Sequence, residues 1–143
     1  MNKDLTLIIT RSSGEYISWF NQLSLDKDIL WLQLWPAFDT EVILKRNPNI
    51  KVIKSTDHIT NDDHFEIAKS VLDVSANWWR LLGLSEKYEE WNIEGLQISE
   101  IFSYDLEQVI TTTLYNLTII KRVILKYAPI KIIILDNIVN NAN

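Results

Sequence analysis

Both histidines of the chain fall in one short polar segment, residues 57–64, together with three aspartates. Histidine and aspartate are the side chains that most often bind metals or act as general acids and bases. Their spacing matches neither the zinc-protease helix motif nor the EF-hand loop, so we expect no metal. His58 is the candidate catalytic base, because a histidine pKa near 6.5 suits proton transfer. The alternative is a loop in which Thr60 or Asn61 caps the next helix and the aspartates favour its dipole.

A second polar segment carries hydroxyl groups beside one arginine. It consists of Thr10, Arg11, Ser12, Ser13 and Gly14. Hydroxyls, backbone N–H groups and a helix N-terminus can hold an anionic or polyhydroxy ligand, and Arg11 adds a positive charge. The segment lacks the GxGxxG and GxxxxGK[ST] patterns, which argues against a dinucleotide site or a P-loop. The alternative is an ordinary polar turn in which Ser12 or Ser13 caps the next helix.

Asp136 and Asn137 follow the last apolar run of the chain. In open parallel sheets, ligands bind outside the carboxyl ends of the strands, where the polar segments would meet. The predicted binding site comprises residues 10–14, Asp57, Asp136 and Asn137, with His58 beside them. We expect weak binding of a sugar-like acceptor rather than a nucleotide. A pyrophosphate needs close approach to the backbone, and Gly14 is the one glycine in these segments that would permit it. The alternative for Asp136 and Asn137 is a solvated tail.

Of the six tryptophans in the chain, Trp78 and Trp79 are the candidates for a platform that stacks on sugar rings. Trp78 and Trp79 are adjacent, and we favour a core role because neighbouring helical positions can both edge one wide buried stripe. The predicted stripe comprises Phe65, Ala68, Val71, Leu72, Ser75, Trp78, Trp79 and Leu82. Trp31 and Trp35 are four residues apart on a predicted strand, so they would point to the same face, and we also predict that both lie in the core.

The elements that would position these residues alternate between strands and helices. Short apolar, β-branched runs predict strands at residues 5–10, 29–35, 50–54 and 130–135. Apolar residues at helical spacing predict helices at 15–25, 61–82 and 105–127, with a short helix or turn near 38–46 and irregular structure over 85–104. The alternation indicates right-handed crossovers. We predict an α/β, Rossmann-like three-layer domain with a four-stranded, mostly parallel sheet in the order 3-2-1-4, buried on both faces.

Length and composition limit the class of protein. The 143 residues suit a single domain spanning 1–143, and a net charge of −5 argues against nucleic acid as a partner. The absence of cysteine excludes disulfides and thiolate catalysis. No apolar run reaches the roughly 18 residues of a membrane span, so we expect a cytoplasmic protein. Because the chain stops directly after its strongest predicted strand, which we interpret as a central one, we expect an N-terminal fragment of a longer protein.

Part of the chain resembles the N-terminal region of surface-polysaccharide glycosyltransferases of the GT-B type. The resemblance covers about residues 60–136 and is carried by Trp78-Trp79, residues 93–100 (IEGLQISE), a long helix and residues 128–134 (APIKIII). It implies an acceptor-side domain that is inactive alone, within a parent protein that is a glycosyltransferase. It brings no catalytic signature and no cofactor, and it implies a sugar-like acceptor or a C-terminal nucleotide-sugar domain as partner. The alternative, from the residues themselves, is a non-enzymatic interaction module that forms a homodimer through an exposed apolar helix face.

Overall fold

The computed structural model describes residues 4–23, 28–81, 92–93 and 96–135. In chain order, the elements of this part are β1 (Thr6–Thr10), α1 (Ile17–Gln22), β2 (Ile29–Gln33), α2 (Thr40–Arg46), β3 (Ile50–Lys54), a 3₁₀ helix (Ser55–His58), α3 (Asn61–Leu81), β4 (Asn92–Ile93), β5 (Leu96–Gln97), α4 (Ile98–Tyr127) and β6 (Lys131–Leu135). The chain divides into two compact units, which are Met1–His58 with Ile119–Asn143, and Ile59–Thr118.

The first unit contains a four-stranded sheet in the order β3-β2-β1-β6, and every strand pair in it is parallel. The predicted α/β fold and the predicted strand order are therefore confirmed, with β6 as the fourth strand. β1 lies between two neighbours, and all five of its residues are buried. β6 forms an edge of the sheet and exposes Ile132 and Ile134. The interpretation of the last strand as a central, fully buried one is wrong, because β1 is its one neighbour among the described strands.

Both faces of the sheet carry buried apolar residues, and one face carries the cluster around Trp31. Ile8 and Trp31 are neighbours in the strand register, and the residues that cluster with them are Tyr16, Phe20, Ile29, Ala37, Ile43, Ile50 and Leu135. The Trp31 ring is fully buried, and its centroid lies 4.7 Å from that of Phe20. Its Nε1 donates a hydrogen bond of 3.2 Å to the Thr10 hydroxyl, which satisfies the one polar atom of the indole.

Trp35 departs from the prediction that it shares the core with Trp31. It is 50% exposed, because β2 ends at Gln33 and the alternation of strand faces does not extend to residue 35. The predicted core role is therefore correct for Trp31 and wrong for Trp35.

The N-terminus of α1 is capped by a residue far away in the sequence. The carboxylate of Asp39 accepts hydrogen bonds from the backbone N–H groups of Tyr16 and Ile17, at 2.8 and 2.7 Å. The prediction that Ser12 or Ser13 caps this helix is wrong, since the helix starts only after Tyr16 and the Ser12 hydroxyl bonds the Tyr16 hydroxyl instead. The carboxylate also places a negative charge where the helix dipole favours one.

The start of α3 agrees with the prediction, but its apolar stripe does not. Thr60 and Asp63 form a capping box, in which the Asp63 carboxylate accepts from the Thr60 N–H at 2.7 Å and the Thr60 hydroxyl accepts from the Asp63 N–H at 3.3 Å. Among the described side chains of α3, Ile67, Val71 and Ser75 are buried. Phe65, Ala68 and Leu72 are exposed, so the single buried stripe predicted for this helix is wrong at these three positions.

The helix α4 begins at Ile98, seven residues before its predicted start, and β4 pairs with β5 in antiparallel fashion. The prediction of irregular structure is wrong for these residues. The indole Nε1 of Trp78 donates to the Ser103 hydroxyl at 2.9 Å and so attaches the early part of α4 to α3. Among the described helices, including the 30-residue α4, none is long and apolar enough to cross a bilayer.

Replacing Asp39 by alanine removes the acceptor of two backbone hydrogen bonds at the start of α1. We expect the free energy of unfolding to fall by about 1–3 kcal/mol, because two N–H groups lose a charged partner in a partly buried site. Urea denaturation followed by circular dichroism measures the change. The control is Glu41→Ala, an exposed carboxylate two residues further on, for which we expect a loss of less than about 0.5 kcal/mol. Equal losses for the two variants would contradict the capping role.

Candidate functional site

The carboxyl ends of the four parallel strands lie along one edge of the sheet. The strand register places Lys54, Gln33, Thr10 and Leu135 in one row, as the last residues of β3, β2, β1 and β6. Register partners share a sheet face and lie about 4.8 Å apart, so the three polar side chains of the row are direct neighbours. Polar groups from three different strands are thus brought together without any loop.

A cleft of about 280 Å³ opens at the ends of β2 and β3. Its lining residues are Gln33, Pro36, Lys54, Ser55 and Thr56. The Gln33 amide nitrogen donates to the Thr40 hydroxyl at 2.8 Å, and that hydroxyl donates to the Ala37 carbonyl at 2.9 Å. This chain of hydrogen bonds fixes the amide, whose oxygen can then accept a hydrogen bond from a ligand. An amide, two hydroxyls and an ammonium group can bind a polyhydroxy or anionic molecule.

The predicted ligand segment at residues 10–14 has partners within the protein for several of its groups. The Thr10 hydroxyl accepts from Trp31, and the carbonyl of buried Gly14 accepts from the Phe38 N–H at 3.0 Å. The Ser12 carbonyl accepts from the Tyr16 hydroxyl at 2.7 Å. Arg11 and Ser13 are exposed.

The helix N-terminus beside this segment holds the Asp39 carboxylate, at the position where we expect an anionic ligand from the sequence. The protein thus supplies its own anion there. The binding role of residues 10–14 stays a prediction. Asp136 and Asn137 lie outside the described residues, and so does the side chain of Trp79.

His58 lies against the C-terminal part of α4. Its ring makes an edge contact with Tyr127 at 6.3 Å between centroids, and its carbonyl accepts a hydrogen bond of 3.1 Å from Arg122. Burial lowers the pKa of His58 below its usual value of about 6.5, and the positive charge of Lys126 lowers it further. The neighbouring Asp57, which is exposed, opposes this shift by raising the pKa. The imidazole is therefore neutral at pH 7, which is the state that a general base needs.

The two histidines of the segment 57–64 lie in different units of the fold. His64 is exposed on α3, and its Nδ1 makes a hydrogen bond with the hydroxyl of Tyr115 on α4. Across the described residues, no three acidic or histidine side chains come together as metal ligands would. The proximity of His58 and His64 in the sequence therefore does not make them one cluster.

Gln33, Lys54, Ser55 and Thr56 are site residues that the sequence analysis missed. The strand-end rule that selected residues 10–14 and Asp57 applies equally to them, because they end or directly follow β2 and β3. Gln33 was hidden within a strand predicted to run on to residue 35.

The pKa of His58 predicts a dependence of stability on pH. Because its pKa is lower in the folded protein, the unfolded chain binds the proton more readily, and stability falls as the pH drops below about 6.5. We expect the variant His58→Gln to lose this component, which is at most about 1.4 kcal/mol per pH unit. Urea denaturation at pH 7.5 and pH 5 measures it. A slope for His58→Gln equal to that of the unmodified protein would refute the assignment.

Comparison with known proteins gives one partial likeness. No protein-family profile matches the chain, and no solved structure gives a significant match. Part of the chain is 35% identical, over 57 residues, to a leucine–tRNA ligase of Ehrlichia canis (strain Jake). The match covers 36% of this chain and 7% of the length of that ligase. A likeness this short shows no family.

Proposed function

We propose that this chain is the acceptor-binding domain of a GT-B-like glycosyltransferase in cell-surface polysaccharide biosynthesis. The observation that carries the proposal is the cleft at the carboxyl ends of β2 and β3, whose lining includes the polar side chains of Gln33, Lys54, Ser55 and Thr56. Ligands of open parallel sheets bind at this edge, and a Rossmann-like sheet is the framework that the resemblance to these enzymes implies. Because proteins of the same fold can have unrelated functions, the assignment depends on the chemistry of the residues in the cleft.

Each group of the cleft suits a sugar that bears hydroxyls or an acidic substituent. The Gln33 amide oxygen can accept from a sugar hydroxyl, while Ser55 and Thr56 can donate or accept. Lys54 can pair with a phosphate or carboxylate on the acceptor. Trp35, which is half exposed and directly precedes Pro36 of the cleft, offers an indole face for a pyranose ring.

His58 completes the proposal as the base that would activate an acceptor hydroxyl. It follows Thr56 by two residues, and its lowered pKa keeps the imidazole neutral at pH 7. In a GT-B enzyme the nucleotide-sugar donor would bind mainly to a second domain. In this proposal, the chain binds the acceptor, and neither a metal nor a redox cofactor takes part in the reaction.

A titration with simple glycans, sugar phosphates and nucleotides, followed by NMR, tests this function. We expect amide shifts at Gln33, Lys54, Ser55 and Thr56 with a Kd of about 1 mM, and no tight nucleotide binding. The variant Lys54→Ala should weaken binding of a sugar phosphate about 10-fold, because an ion pair is lost. Lys51→Ala is the matched control, since Lys51 is exposed on the same strand but on the opposite sheet face. Shifts away from the cleft, or equal losses for both lysine variants, would refute the site.

A second candidate function is a non-enzymatic interaction module. It is favoured by the large apolar side chains that both units expose, among them Phe65, Leu72, Val109, Ile132 and Ile134. Contiguous apolar surface on a soluble protein commonly marks an interaction site. The titration separates the two candidates, because an interaction module would show no glycan shifts at any concentration.

A further inference from the structure

The helix α3 carries two apolar stripes, and only one of them is buried. Ile67, Val71 and Ser75 form the buried stripe, with a spacing of four residues. Phe65, Ala68, Leu72 and Ala76 form a second stripe at spacings of three and four, and all of these residues are exposed. At 100° per residue, the centres of the two stripes are separated by about 110° around the helix. We call the second set the exposed stripe.

Charged residues follow one side of the exposed stripe. Asp62, Lys69, Asp73 and Arg80 are all exposed and lie within about 40° of one another around the helix axis. Their signs along the helix are negative, positive, negative and positive. The other side of the exposed stripe borders the buried stripe, so these four residues form its solvent-facing flank.

We propose that a second copy of this chain docks on the exposed stripe, with the two α3 helices antiparallel about a two-fold axis at position 71. Such an axis pairs residues that are equally far from position 71, and it keeps the charged flank of one helix beside the charged flank of the other. Lys69 and Asp73 each lie two residues from this position, and Asp62 and Arg80 each lie nine. Lys69 and Asp73 therefore each meet an opposite charge of the second copy, as do Asp62 and Arg80, while Glu66, exposed at the outer edge of the flank, lies opposite Ala76.

The apolar residues fit the same arrangement. Phe65 lies six residues from position 71, so it falls beside residues 76 and 77 of the second copy, where Ala76 leaves room for its ring. Leu72 lies next to the axis and meets Leu72 of the second copy. The apolar contacts give the association its driving force, and the charge pairs select the antiparallel register.

A self-complementary charge pattern favours a second copy over an unrelated helix. An unrelated amphipathic helix could cover Phe65 and Leu72. Its charges, however, would match this flank only if they had evolved independently to do so. In the two-fold pair, one sequence supplies both members of each ion pair. The inference goes beyond acceptor binding and does not rest on it, since it uses no residue of the strand-end cleft.

Cysteine cross-linking tests the register, because the chain contains no cysteine of its own. Leu72→Cys places two thiols next to the axis, and we expect disulfide-linked dimer under mild oxidation. Ala76→Cys is the matched control on the same stripe. The two cysteines at position 76, one in each chain, would be separated by about 15 Å along the helices, so we expect no cross-link. Equal cross-linking of the two variants would overturn the register.

Charge reversal tests the partner. We expect sedimentation of the unmodified protein to show a dimer at about 100 μM, and Lys69→Asp or Asp73→Lys alone to weaken it at least 10-fold through repulsion across the axis. An equimolar mixture of the two variants should restore a one-to-one dimer, which also proves that both are folded. Lys121→Asp, an exposed site on α4 with the same charge change, should leave the dimer intact.

A monomeric unmodified protein at this concentration, or a mixture no more dimeric than its components, would overturn the proposal. The lysine variants at the cleft leave α3 unchanged. Acceptor binding and self-association can therefore fail independently.

Discussion

The hydrogen bonds that the Asp39 carboxylate accepts from the start of α1 hold together the helices that pack on the Trp31 face of the sheet. The carboxylate joins the loop after β1 to the residue that precedes α2, so both helices are fixed over the face that carries Trp31. The adjacent bond from the Phe38 N–H to the Gly14 carbonyl makes the same connection through the backbone. Because Asp39 Oδ2 already accepts both hydrogen bonds from the N-terminus of α1, the position suited to a phosphate has a structural role. The polar groups available to a ligand lie one strand further along the sheet.

The sheet could be predicted from the sequence because each strand is a short apolar run with its own boundary signals. Ile29 to Gln33 and Ile50 to Lys54 are rich in β-branched and apolar residues. They are separated by a short helix and the turn around Pro48, so their order follows from crossover rules. The role of Asp39 could not be predicted in this way, because it depends on an acceptor 22 residues from its donor. The early start of α4 was missed because acidic residues were interpreted as irregular structure.

The location of the candidate site could be predicted from the sequence, but its ligand-facing groups could not. The strand-end rule selects the correct edge of the sheet, and Thr10 lies there in register with Gln33. Which polar groups remain for a ligand depends on side-chain contacts: Trp31 engages the Thr10 hydroxyl, while Thr40 orients the Gln33 amide. The two stripes of α3 were likewise merged into one, because spacing alone reveals which positions are apolar but not which of them a neighbouring element covers.

The continuity of α4 makes local opening in the middle of this helix costly. Its residues 98–118 belong to one unit and its residues 119–127 to the other, with no break in the helix between them. Interrupting a helix in its interior exposes backbone groups on both sides and requires a new, costly nucleation to restore it. The amide protons near Thr118 and Ile119, in the interior of this 30-residue helix, should therefore exchange slowly with solvent.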